Sequence, residues 1–119
     1  MENIIKKFNE SKYVLKIEKF DVYVQIFTDF IYYDNDFLTL YLIKEDDGTY
    51  SLSDQSMIYG AYELYYHLNE NNLDKAAKEC GLEISSFNYM FYDILDINDV
   101  NKSLIKFGKL IKLLNKDDI

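Results

Sequence analysis

The chain has 119 residues, of which 49% are hydrophobic, 17% aromatic and 29% charged, a composition that excludes disorder and suits one domain with its own core. No apolar run of about eighteen residues occurs, and Met1 to Lys12 holds no apolar block ahead of a small-residue cleavage site, so neither a membrane span nor a secretory leader is expected. The net charge is −8, and between Asp21 and Asp74 eleven acids face the single Lys44 for a local net of −10, which repels phosphate and disfavours direct nucleic-acid binding by that region.

In chain order, Ile4, Ile5 and Phe8 stand at helical spacing and predict a short amphipathic helix over Glu2–Glu10. Tyr13–Lys19 fits both periods, Val14 and Ile17 suiting a helix and Tyr13, Leu15 and Ile17 a strand, with the helix preferred. Val22–Phe27 alternates as a strand, and Thr28–Asp36 runs as a short strand or loop into an Asp34-Asn35-Asp36 turn. Phe37–Lys44 is the strongest strand. Leu38, Leu40 and Leu42 share one of its faces and Phe37, Thr39, Tyr41 and Ile43 the other, so a central strand covered on both sides is expected. The turn Glu45-Asp46-Asp47-Gly48 returns the chain into Thr49–Ser53, Gly48 supplying a positive φ.

Ser53 or Asp54 is placed to cap a helix over about Gln55–Asn69. Its predicted buried arc is Met57, Ala61, Leu64 and Leu68, flanked by Ile58 and Tyr65. Tyr59 and Tyr66 then face solvent with Glu63 and Glu70, and Tyr62 lies at the margin. A shorter helix, Leu73–Cys80, turns Leu73, Ala76, Ala77 and Cys80 inward and ends at Gly81. Leu82–Ser85 and Tyr89–Ile94 read as a second hairpin. A terminal helix from about Asn98 to Asn115 gathers Val100, Leu104, Phe107, Ile111 and Leu114 on one face, with Lys102, Lys106, Lys109, Lys112 and Lys116 on another. The expected fold is a single α+β domain over residues 1–119, with an antiparallel sheet of about four to six strands packed by three to four helices.

The residues Thr28-Asp29-Phe30, Asn35-Asp36 and Gly48-Thr49-Tyr50-Ser51-Leu52-Ser53-Asp54, in that order of elements, resemble DUF1828, a bacterial and phage family of domains of unknown function. The likeness spans roughly Tyr23 to Leu114. Gln55-Ser56 stands where similar sequences generally carry an acidic residue and Gly. The resemblance implies an α+β fold and supplies no activity.

No set of catalytic residues emerges. Asp34, Asp36 and Glu45 occupy first, third and twelfth places of a notional calcium loop, but Leu38 and Thr39 fill places that need an oxygen ligand and a Gly. The lone His67 cannot form a two-His metal site, the four glycines are isolated, and the lone Cys80 has no evident base and reads as a packing residue. With one cysteine no intrachain disulfide forms, which fits a cytoplasmic protein.

Carboxylates among tyrosines make a surface suited to a basic protein, because a Tyr ring offers rigid apolar area plus a hydroxyl and the acids speed association. The expected partner-binding residues are Glu45, Asp46, Asp47, Tyr59, Tyr62, Glu63, Tyr66 and Glu70, with no cofactor and no metal. The chain lacks Arg, Pro and Trp and is rich in Ile, Asn, Lys and Tyr, a pattern of AT-rich coding common in low-GC bacteria and their phages. The expected function is a non-enzymatic inhibitor from a phage or mobile element, acting on a host nucleic-acid-handling defence protein by phosphate mimicry, in the manner of an anti-CRISPR protein. The alternatives are a metal-dependent hydrolase or nuclease using Asp34, Asp36 and Asp54, and a homo-oligomer formed through the tyrosine-bearing helix.

Overall fold

Alternating apolar residues build six strands, and residues at helical spacing build four helices to cover them. The computed structural model describes residues 2–32, 36–66, 70–87 and 89–116, with the backbone alone at 63–66, 70 and 116. The strands are β1 (Val14–Lys19), β2 (Tyr23–Ile31), β3 (Phe37–Lys44), β4 (Tyr50–Ser53), β5 (Glu83–Ile84) and β6 (Met90–Ile94). The helices are α1 (Glu2–Asn9), α2 (Met57–Tyr66), α3 (Glu70–Glu79) and α4 (Asp99–Lys116). One antiparallel sheet runs in the order β1-β2-β3-β4-β6-β5. The domain is α+β.

One face of the sheet makes the core. Val24 and Ile26 of β2, Leu38, Leu40 and Leu42 of β3, Leu52 of β4 and Met90 of β6 are buried with Phe8, Ile58, Leu73, Leu104 and Phe107 from the four helices. The expected inward residues of α4, Val100, Leu104, Phe107, Ile111 and Leu114, are all buried. Gly81, at φ +83°, ends α3 as expected: the Leu82 N–H reaches back to the Ala77 carbonyl at 2.9 Å.

Three expectations are corrected. Tyr13–Lys19 does not extend the first helix; Val14–Lys19 is the edge strand β1, paired Ile17 to Ile26. Its local spacing suits both states, and hydrogen bonds to β2 decide between them. Nor is β3 covered on both faces. Thr39, Tyr41 and Ile43 are only half-buried, as are Tyr23, Gln25 and Phe27 beside them, so this face of the sheet is open and its rings shelter one another. Tyr23 lies 5.8 Å from Tyr41 and 4.9 Å from Phe20, and Lys16 Nζ sits 4.8 Å over Phe27.

The third correction concerns α2. Met57 is exposed, and the buried residues are Ile58, Tyr59, Ala61 and Tyr62. The run Met57-Ile58-Tyr59-Gly60-Ala61-Tyr62 is apolar on nearly every side, so periodicity cannot phase it. The entry turn sets the phase instead. Gln55 and Ser56 take φ of 51° and 66°, a left-handed pair rarely adopted away from Gly. Hydrogen bonds hold that pair in place: Ser53 Oγ accepts from the Gln55 N–H at 3.0 Å, and the Asp54 carboxylate accepts from Ser56 at 3.2 Å and from Ile58 at 3.0 Å.

Candidate functional site

The β3–β4 hairpin ends in a tight turn. Gly48 has φ +88°, its N–H donates to the Glu45 carbonyl at 3.0 Å, and the Glu45 N–H donates to the Thr49 carbonyl at 2.8 Å. Asp47 Oδ1 accepts from the Thr49 hydroxyl at 2.6 Å and from the Thr49 N–H at 3.0 Å. These two bonds, the hydroxyl first, hold the Asp47 carboxyl below the usual carboxylate range. The turn is thereby fixed with three acids projecting from it.

Pairing of β4 with β6 brings a distant strand beside this tip. Ser51 stands opposite Asp93 and Ser53 opposite Phe91, all on the open face. The small serines leave a trough between taller neighbours. The resulting groove, about 490 Å³, is lined by Glu45, Asp46, Asp47, Thr49, Ser51, Tyr89, Phe91 and Asp93. Tyr89 and Phe91 form a tilted pair with centroids 5.9 Å apart and planes at 54°. Glu45, Asp46 and Asp93 are exposed and, among the described residues, no lysine pairs with them.

Of the residues expected to bind a partner, Glu45, Asp46 and Asp47 lie together on this groove. Tyr59 and Tyr62 do not face solvent, and this expectation is corrected: they are 3% and 1% exposed. Tyr59 donates to the Asp74 carboxylate, tying α2 to α3. The Tyr62 hydroxyl lies 2.7 Å from the Tyr32 carbonyl and 2.6 Å from Asn115 Oδ1, tying α2 to the ends of β2 and α4. Both rings are structural because α2 is rotated from its expected phase. The side chains of Glu63, Tyr66 and Glu70 lie outside the described residues, as do Asp34 and His67.

Asp54, considered for a metal, is committed elsewhere. It is fully buried, and its carboxylate accepts from the N–H groups of Ser56, Ile58 and Met90. Burial is the dominant influence and raises its pKa to about 6, against the opposing pull of those hydrogen bonds. Among the described residues no three His, Cys, Asp or Glu side chains are grouped to hold a metal ion. Burial, and next the charge of Glu79, raises the Cys80 thiol above its ordinary value.

Ser51, Tyr89, Phe91 and Asp93 were not among the expected site residues. The alternation Tyr89-x-Phe91-x-Asp93 places the three on one face of a strand, but nothing local says that this strand lies beside the acidic hairpin. Comparison of the chain with protein-family models, with curated proteins and with solved structures finds no match. Among the described residues, no helix is long and apolar enough to cross a membrane.

Proposed function

We propose that this chain is a small non-enzymatic binding module whose partner is a protein with a basic surface, engaged through the groove at the β3–β4 tip. The observation that carries this reading is the convergence of Glu45, Asp46, Asp47 and Asp93 around the Tyr89–Phe91 pair. Unpaired carboxylates on an exposed rim raise association rates with a cationic surface, and adjacent rings add apolar area once contact is made. The proposal extends to the role: a phage or mobile-element inhibitor that acts in the cytoplasm, setting carboxylates where a host defence protein holds nucleic-acid phosphates. Kinship with DUF1828 belongs to the same proposal and adds no activity to it.

Affinity capture from a host lysate tests the reading, with the charge-reversed variant D46K/D47K/D93K as control. The expected partner is retained at low salt, released as ionic strength rises towards about 0.5 M, lost with the variant, and stripped of its nucleic acid while bound. Capture that ignores salt, or that the variant performs equally well, overturns the electrostatic mechanism.

A further inference from the structure

We infer that the cavity between the end of β2 and α4 binds a small amphipathic anion, a fatty carboxylate, with its headgroup on Lys109 and Lys112 and its chain along Phe30, Ile31 and Ile105. The cavity encloses about 470 Å³, within the range of small-ligand sites, and shares no residue with the groove at the β3–β4 tip. Phe30 continues the inward alternation of Val24, Ile26 and Thr28, yet where those three are buried it is only half-buried, because the cavity opens over its ring. That ring lies 5.4 Å from Tyr13, and a Cβ at Gly108 would stand 3.0 Å from Phe30 Cε1. The glycine thus lets α4 and the ring approach as two walls of the cavity. Ile31 and Ile105, 46% and 38% exposed, line it too and leave aliphatic surface in water for an occupant to cover.

The polar groups on the cavity divide into used and unused. Asn115 is used: its Nδ2 donates to the Ile31 carbonyl at 2.8 Å, and its Oδ1 lies 2.6 Å from the Tyr62 hydroxyl. The other described lysine side chains of α4 also have partners within the chain, Lys102 with Asp99 at 3.8 Å and Lys106 over the Tyr92 ring at 5.6 Å. Lys109 and Lys112 make no ion pair, side-chain hydrogen bond or ring contact among the described residues. These are the two lysines that line the cavity. Asp29 lines it as well and pairs with neither, so two lysines stand against one aspartate on a chain whose net charge is −8. Residues three apart on a helix are neighbours on its surface, so both ammonium groups can reach one carboxylate. From Ile105 to Asn115 the lining covers roughly 15 Å of helix axis, which suits a long thin chain better than a compact ring.

The test is an NMR titration of the whole chain at pH 7 with decanoate, decanol and decylammonium, each kept monomeric. Decanoate is expected to shift the amides of Phe30, Ile31, Ile105, Gly108 and Lys109 saturably, and to bind about ten-fold more tightly than decanol. Decylammonium is expected to bind more weakly than either. Net charge alone would favour the cation, so preference for the anion reports the two lysines. K109Q/K112Q, with an otherwise unchanged amide spectrum, should bind decanoate no better than decanol. Tightest binding by decylammonium overturns the site, as does a K109Q/K112Q variant that keeps the preference for decanoate. Unsaturable shifts, or shifts spread over Tyr23 and Tyr41 on the open sheet face, overturn it equally.

Discussion

Asp54 and Met90 exchange hydrogen bonds across the ends of β4 and β6. The Met90 N–H donates to Asp54 Oδ1 at 2.8 Å, and the Asp54 N–H donates to the Met90 carbonyl at 3.2 Å. Asp54 Oδ2 meanwhile accepts from the Ile58 N–H. One side chain thus ends β4, fixes the start of β6 and caps α2. The groove depends on it indirectly, because Tyr89 and Phe91 flank Met90.

Asp54→Ala is therefore expected to strand three N–H groups, the buried ones of Ile58 and Met90 and the half-buried one of Ser56, and destabilise the fold by about 2–4 kcal/mol. Chemical denaturation measures the loss. A change below about 0.5 kcal/mol would mean that the cap does not organise this junction.

The same carboxyl predicts a pH dependence of definite sign. Its folded pKa, about 6, is raised from the ordinary aspartate value of 3.8, so the native state binds the proton more tightly than the unfolded chain. Its contribution is fully present below about pH 4 and is lost as pH rises through about 6, a swing of about 3 kcal/mol. Subtracting the stability profile of Asp54→Asn from that of the unaltered protein isolates this group. A flat difference between pH 4 and 7 would contradict the assignment.

Tyr62→Phe is expected to cost about 1–2 kcal/mol, since the hydroxyl is buried against the Tyr32 carbonyl and Asn115. Binding of the basic partner should be unaffected. The pair D46K/D93K is expected to do the reverse, leaving the melting temperature within a few degrees while abolishing binding. Thermal melts and binding isotherms of both variants make the comparison.

Gly48→Ala probes the turn that presents the acids. A Cβ there would meet nothing within 4 Å, so φ +88° is the sole obstacle. The expected cost is about 1 kcal/mol, or a fall in Tm of about 5 °C. Scanning calorimetry reads it directly.

Elements whose residues alternate or recur cleanly were legible in the sequence. Leu38, Leu40 and Leu42 could only share one face of a strand, Gly48 could only close a turn, and Val100, Leu104 and Phe107 could only lie on one side of a helix, because each pattern is satisfied by neighbours a few residues away. The Glu45–Asp47 tip followed from the same local logic.

What the sequence left undecided needed contacts between distant segments. Tyr13–Lys19 carries two periods at once, and β2 selects the strand. The first turns of α2 are apolar all round, so the Asp54 cap and the positive φ of Gln55 and Ser56 choose which rings are buried, drawing Tyr59 and Tyr62 into the core. The groove itself exists only because β4 pairs with β6, setting Ser51 opposite Asp93 across forty-two positions of chain. Local periodicity states which side chains share a face; only backbone hydrogen bonding between remote strands states which faces meet.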